Sequence, residues 1–408
     1  MTSPKFKLTP LSKLFSDLKT ELKPVSGRSK VSVDSSVNRI FSKDIFAKYD
    51  NPPFDNSAID GFAINEEARS ISRNFSLLEG LLRPGYRSNV VLKKNEGIRI
   101  LTGAPIPCGT TRIIFKENIK EHDQKKIHFV QDDDKESNIR LKGEDFKKGD
   151  LLFKKGNQIR ITDLPVLIGS GNSSVSIFKP LKVGLITTGN ELNPNIKKHN
   201  ENFIFDTNAV PLKTLLGLWG CSIVNIGAVG DNLELLRKKI FDNLEHVDVF
   251  VTTGGVSTGQ EDFVSQLLNR EAQLINWRIA IKPGRPLICA KLGAKYIFGL
   301  PGNPVAAFIC ALIVLRPSLG RIGGEKTWFK PLSIKTKANF KKYKRPGRTE
   351  FLRANLNRGD GFVSIYPFEG SGRISSLSWS NGIVELPEKE QNIKIGDLVD
   401  FIPYESFF

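Results

Sequence analysis

The spacing of apolar residues changes character twice along this chain. Near the N-terminus, leucines at helical spacing predict a helix around Leu8 to Leu22. An extended piece at Lys30 to Val33 and a second helix near Val37 to Phe41 follow. Pro52-Pro53 then stops regular structure, because each proline lacks a donor and restricts its predecessor. From Phe75 to Phe153 the apolar runs are short: Val90 to Leu92, Ile98 to Leu101, Arg112 to Phe115 and Ile127 to Phe129. Gly, Pro and charged turns between them predict a small, mostly β insertion. Gly156 to Leu167 holds a further helix, capped by Thr162, before the Gly169-Ser170-Gly171-Asn172 turn.

Beyond Leu181 strands and helices alternate. Apolar runs predict strands at Lys182 to Thr187, Cys221 to Ile226, Val247 to Thr252 and Ile297 to Leu300. Helical patterns fall at Asn208 to Trp219, Asn232 to Asn243, Asp262 to Asn269 and Pro304 to Leu315. Such alternation implies a mostly parallel sheet covered on both faces. From Gly323 the chain returns to short strands, ending in Val384 to Leu386 and Leu398 to Ile402, so a separate β domain is expected from about residue 328.

Composition narrows the classes. At 408 residues and 45.5 kDa the chain can bury more than one core, and its 39% hydrophobic and 25% charged content excludes a disordered protein. No uninterrupted apolar run reads as long enough to span a membrane, and no secretory h-region follows Met1, so the expectation is a cytoplasmic protein with no membrane attachment. Cys108, Cys221, Cys289 and Cys310 lack close ligand spacing and are expected to be reduced. The net charge of +17 suits a polyanionic ligand. Nucleic acid is not expected: lysines are scattered, and the densest patch, Lys335 to Arg348, lacks regular aromatic interleaving and reads as solvated surface.

In an open parallel sheet, ligands bind beyond the carboxyl ends of the strands. Thr187-Thr188-Gly189-Asn190-Glu191 follows the first strand and places a carboxylate at the rim. Asp206-Thr207-Asn208 is either a helix cap or a ligand contact. In Thr253 to Asp262, Gly254 and Gly255 can turn main-chain N–H groups toward an anion, with Ser257 and Thr258 as hydroxyl donors. The spacing is neither a Walker A loop nor a GxGxxG fingerprint. Asp262 can cap the next helix or, with Glu191, hold a divalent cation; hard oxygens suit Mg²⁺. Lys282-Pro283-Gly284-Arg285 is a stiff turn that fixes two cations for a phosphate or other oxyanion. Pro301-Gly302-Asn303-Pro304 leads from a strand into a helix and offers another anion site. Outside this domain, the turn-prone stretch from Pro53 to Ala63 carries Asp55 and Asp60, while Leu101 to Pro107 and Leu141 to Asp145 are rigid loops. Periodicity alone does not bring these three to the α/β domain.

The stretches FDNSAIDGFA, LTGAPIP, LKGED, TTGNEL, FDTN, TGGVSTGQEDF, AIKPGRP and GLPGNPVA run in this order, with PGRTEF and GSGRISSLSWSNG in the tail. This ordered set resembles the molybdopterin molybdenumtransferases, bacterial counterparts of the gephyrin E domain. The resemblance implies a multidomain α/β plus β fold. An elongated helical and extended N-terminal domain takes residues 1–48 and 144–178, and a β-rich insertion takes 49–143. A three-layer molybdopterin-binding α/β domain with a parallel-rich sheet takes 179–327, and a C-terminal β-barrel takes 328–408.

It further implies an elongated homodimer that inserts molybdate into adenylylated molybdopterin, with Mg²⁺-dependent release of AMP. Transient contact with the molybdopterin adenylyltransferase and with molybdoenzyme maturation proteins is expected too. Carried over by matching motif, Asp60, Asp231, Asp262 and Lys282 are catalytic, and Glu191, Asn190 and Asp262 hold metal. Thr102, Thr188, Gly189, Asp206, Gly254, Gly255, Ser257, Lys282, Arg285, Pro301, Gly302, Asn303, Ser371, Ser375 and Ser376 bind the cofactor. The dithiolene sulfurs belong to the ligand, so no protein cysteine is needed. The chain departs from the pattern at Asn190, where a carboxylate is usual, at Gly230, where an arginine is usual, and at Gln260, where a glutamate is usual beside Glu261. These departures leave a degenerate molybdopterin-binding or scaffolding member as a competing reading, and a second is the adenylyltransfer half-reaction of a related α/β family.

Overall fold

The run Val183-Gly184-Leu185-Ile186, with no polar side chain to hold it at an edge, forms a central strand in the computed structural model of the protein, which describes residues 8–66, 74–122, 125–129, 137–193, 201, 203–257, 262–368 and 370–408. Across this six-stranded sheet the order is Ser222–Val229, Lys182–Thr188, Val249–Thr253, Lys295–Leu300, Ile288–Leu292, Gln273–Trp277. The first four strands are parallel and each later neighbour is antiparallel. The chain leaves Lys182–Thr188 for one side, then crosses back to the other. The switch point therefore lies beside Thr188 and Thr253.

Alternation along the strands separates two cores. Leu185, Val249, Val251 and Phe298 pack under Leu212, Leu215 and Leu216 of the Ala209–Leu218 helix. Ile186, Phe250 and Ile297 face the other way, against Leu236, Ile240, Val264, Leu267 and Leu268. The first core reaches further: Leu14, Leu18 and Leu22 of the N-terminal segment enter it, as do Phe351, Ile383 and Ile402 from the barrel. The helix after Lys295–Leu300 runs through its middle as Pro304–Cys310, a π turn at Ala311–Leu315, and Arg316–Ile322. Arg316 interrupts the apolar run there. The 19-residue stretch has the length and hydropathy of a membrane span, but 83% of its most apolar window is buried inside the protein.

The tail closes on itself. Thr349–Leu356 pairs with Phe362–Ile365 and Gly382–Leu386; Gly382–Leu386 pairs with Leu398–Pro403, and Leu398–Pro403 with Ile334–Ala338, which returns to Phe362–Ile365. The ring is a closed five-stranded barrel. Ile281–Lys282, from the α/β domain, adds in parallel to Thr349 and Glu350, so the barrel and the Lys282 turn share backbone hydrogen bonds.

Upstream, a second six-stranded sheet spans Gly61 to Phe129. Its Gly61–Ile64 strand is wholly buried between Glu96–Ile100 and Arg112–Phe115. The sequence reads this stretch as turn, yet tertiary pairing makes it a core strand. Arg28–Ser32 pairs with Ser174–Phe178, and Ile45–Phe46 with Leu151–Phe153, so distant segments flank this sheet's two chain exits. Three local expectations fail. Val37 to Phe41 is not helical, because Ile40 and Phe41 bridge to Gln158 and Ile177 and Phe41 stacks on Phe153 at 5.3 Å. Thr162 does not cap; Asp163 Oδ2 accepts from Arg160 N at 2.9 Å instead. Val90 to Leu92 forms only an isolated bridge from Val91 to Cys108. Strands Asn74–Leu82, Gln273–Trp277 and Ile288–Leu292 escape the pattern because polar and small residues break their alternation.

Candidate active site

Two cavities lie at the carboxyl ends of the α/β strands, on either side of one loop. The first, of about 460 Å³, is lined by Thr188, Gly189, Glu191, Asp206, Asp231, Gly254, Gly255, Ser257, Asp262 and Gly302, among others. Its charged lining residues are all acids. The second, of about 450 Å³, is lined by Lys282, Arg285, Pro301, Asn303 and Ser371, together with Arg348 and Arg353 from the barrel. Its charged lining residues are all cations. Pro286 touches both.

Local chemistry explains the first cavity. Asp206 Oδ1 accepts from the main-chain N–H of Asn208 and of Ala209, both at 3.0 Å, so it caps the Ala209–Leu218 helix while facing the cavity. The capping reading of that motif holds. Gly254 (φ +93°) and Gly255 (φ +62°) need the left-handed region, and a Cβ on Gly254 would stand 2.5 Å from Thr188 O. Asp262 sits at the N-cap of Phe263–Glu271 without a side-chain capping bond. Asn190 is tied to Asp231: its Oδ1 accepts from Asp231 N at 2.9 Å, and its own N–H donates to Asp231 Oδ2 at 3.1 Å. The side-chain oxygen predicted to touch metal thus holds Asp231 in place. Gly230 makes room for it, since a Cβ there would approach Asn190 Oδ1 to 2.7 Å. Thr258, Gly259, Gln260 and Glu261 lie outside the described residues.

The second cavity depends on the barrel. Glu350 is buried, with Lys282 Nζ 3.6 Å from one oxygen and Lys342 Nζ 3.7 Å from the other. Arg353, 7% exposed, donates from Nε to Ser376 Oγ at 3.1 Å and from Nη2 to Gly370 O at 3.0 Å. Ser376 is buried under Arg353, where it supports the guanidinium; Ser375 is exposed, with its Oγ 3.1 Å from Tyr366 OH. Lys335 to Arg348 is not plain solvated surface. Lys344 is 1% exposed and donates to Arg345 O and Lys389 O at 3.0 and 3.1 Å, and burial pushes its ammonium below the ordinary lysine range. Sequence reasoning missed Arg348, Glu350 and Arg353. The PGRTEF stretch signalled the first two; Arg353, one position in a strand, had no local signal.

Asp60 and Thr102 line neither cavity, but they meet each other. Thr102 donates to Asp60 Oδ1 from its main chain at 2.8 Å and from its hydroxyl at 2.7 Å. Lys142 N donates to Asp55 Oδ1 at 2.7 Å, and Ser57 N to Ala104 O at 3.0 Å. The three motif stretches outside the α/β domain therefore build one surface.

A switch-point cleft, split by charge and completed by a closed barrel, defines a multidomain α/β ligand-binding protein. Residues 9–171 match the family described as MoeA N-terminal region (domain I and II), residues 184–321 the "Probable molybdopterin binding domain", and residues 335–404 the MoeA C-terminal region (domain IV). The chain is 33% identical over 377 residues to a molybdopterin molybdenumtransferase of Haemophilus influenzae, covering 92% of this chain and 93% of the relative. It is 31% identical over 385 residues to one of Staphylococcus aureus, with coverage of 92% and 91%. The crystal structure of a molybdopterin biosynthesis moeA protein from Pyrococcus horikoshii superposes with a TM-score of 0.83 at 26% identity, over 98% of this chain and 100% of that one. This chain belongs to the molybdopterin molybdenumtransferase family.

The bonds from the Thr102 main chain and then its hydroxyl hold the Asp60 carboxyl below the ordinary carboxylate range. Thr102→Val should raise that value part of the way back, since the main-chain donor remains. Any stabilisation from this depressed value is present above the ordinary range and fades as pH falls through the folded value. Carboxyl NMR titration of both proteins checks this; an unmoved Asp60 would show that the hydroxyl bond contributes nothing.

Proposed function

We propose that this chain inserts molybdate into adenylylated molybdopterin and releases AMP with the help of Mg²⁺. The observation that carries the reading is the pair of oppositely charged cavities on the two sides of the Pro301–Pro304 loop. Phosphoanhydride cleavage breaks one P–O bond, adds an oxygen nucleophile to the released phosphoryl group, and builds charge on its oxygens. Bound Mg²⁺ would neutralise part of that charge.

The donor set fits such an ion. Among the described residues no three His, Cys, Asp or Glu side chains form a ready metal cage. Mg²⁺ commonly takes one or two carboxylates plus substrate phosphate and water, which suits Glu191 and Asp262. Asp231, clasped by Asn190, and Asp206, held by its cap, shape the acidic wall. Gly254 and Gly255 let main chain, not side chains, form the floor. Lys282, Arg285, Arg348 and Arg353 hold the doubly charged molybdate beside it, and planar guanidinium groups suit its oxygens. Asp60, kept ionised by Thr102, would complete the cleft of the other subunit in a homodimer. Contacts with an adenylyltransferase or with maturation proteins belong to the same proposal; co-purification with either class of protein is their test.

The reading is tested by AMP release from adenylylated molybdopterin, with and without molybdate and Mg²⁺. Release that depends on both is expected, and Glu191→Gln and Lys282→Ala should each lower it by about 100-fold, the scale seen when a charge-stabilising donor is removed. Binding of the substrate without molybdate-dependent release would instead make this a scaffolding member.

Shared sites have a separate test. Asp60→Asn chains and Glu191→Gln chains, each nearly inactive, are co-expressed with different tags. With random pairing about half of the dimers are mixed and each carries one intact site, so activity should recover to roughly a quarter of wild type. Mixed dimers as inactive as the parents would exclude a shared site.

A further inference from the structure

The wall of the cationic cavity has another side. Arg353 and Leu352 line both that cavity and a groove of about 540 Å³ on the barrel. Lys341, Lys342, Tyr343, Tyr366 and Phe368 line the groove as well. Lys342 is joined through Glu350 to Lys282, so the two hollows also share a charge network.

Its composition is unusual for bare surface. Tyr343 is 59% exposed and Phe368 53% exposed. Phe368 stands 6.1 Å from Tyr366, ring centre to ring centre, in an edge arrangement, and Trp379 flanks Tyr366 at 5.5 Å. The Arg373 guanidinium lies 4.5 Å from the Phe368 ring centre, and Lys341 is exposed beside them. Exposed rings gain by stacking on a flat ligand, and a nearby exposed cation gains by meeting phosphate oxygens.

We propose that this groove is a second binding site, taking a planar heteroaromatic ring that carries a phosphate. The exposed Tyr343 and Phe368 rings meet the ligand ring while Lys341 faces the phosphate; Lys342, paired with Glu350, adds charge from behind. Either an adenine nucleotide or a phosphorylated pterin has this chemistry. The site goes beyond the transferase reading and would bind such a ligand whether or not the chain turns over.

The site is tested by NMR of the Trp379 indole N–H in the intact protein, titrated with AMP, with a pterin monophosphate, and with inorganic phosphate. Saturable movement is expected for at least one ring phosphate, at concentrations about tenfold or more below those at which phosphate acts. Phe368→Ala and Lys341→Ala, both at exposed positions, should each raise the required concentration about tenfold, the lower part of the range for a lost stacking or phosphate contact. Movement with AMP alone assigns the site to the nucleotide, and movement with the pterin alone assigns it to the pterin. No movement at millimolar ligand overturns the proposal. So does equal response to inorganic phosphate, or an unchanged titration in both variants. Intact molybdate-dependent AMP release alongside such a result would sink the groove alone.

Discussion

Two sets of like charges can serve two ligands only if they are kept from pairing with each other, and a short loop keeps them apart. Thr253 Oγ1 donates to Pro301 O at 3.1 Å, and Asn208 Nδ2 donates to Gly302 O at 2.7 Å. Asn208 Nδ2 also reaches Thr253 Oγ1 at 2.7 Å, closing a three-loop knot at the ends of the parallel strands. Gly302 lets the loop lie against Gly254, where a Cβ would come to 3.3 Å from the neighbouring Cα. Glu191, Asp206, Asp231 and Asp262 remain on one side; Lys282, Arg285, Arg348 and Arg353 remain on the other. Each set repels itself, and a ligand of opposite charge relieves that repulsion.

The cationic side is a joint product of two domains. A two-residue strand, Ile281–Lys282, pairs with Thr349 and Glu350 of the barrel and so fixes where the Lys282 turn emerges. Glu350 then sits between Lys282 and Lys342, and Ser376 holds Arg353 from beneath. A buried carboxylate between two ammonium groups limits their mutual repulsion without filling the cavity. The three serines expected to touch ligand therefore play different parts. Ser371 lines the cavity, Ser376 props the guanidinium, and Ser375 faces outward with Tyr366.

The parallel strands and most helices of the α/β domain were legible in the sequence because central strands such as Lys182–Thr188 and Val249–Thr253 are apolar runs that end at a glycine-bearing loop, whereas Gln273–Trp277 and Ile288–Leu292 were not. Lys182–Thr188, Ala209–Leu218 and Leu233–Asp242 lie within a few residues of expectation. Elements whose burial depends on distant partners were not. Gly61–Ile64 looks like part of a polar turn until two neighbouring strands cover it, and Phe41 follows Phe153 instead of its local helical pattern. For the site, motif loops were readable and their partition was not: ten of the expected residues face the acidic cavity and five the cationic one. Nothing in the local sequence says that Asn190 clasps Asp231, or that Asp60 and Thr102 form one unit away from both cavities on their own chain. Such assignments rest on contacts between residues far apart in sequence, to which spacing is blind.

The most direct measurement asks whether the two charge sets hold different ligands on opposite sides of the Pro301–Pro304 loop. Tungstate has the charge and shape of molybdate, and its strong anomalous scattering locates it directly in a crystal. Crystals of the protein grown with Mg²⁺ and AMP and then given tungstate should show the anomalous peak between Lys282, Arg285, Arg348 and Arg353. A peak among Glu191, Asp231 and Asp262, or an occupied cationic cavity that persists unchanged in Lys282→Ala, would contradict the account.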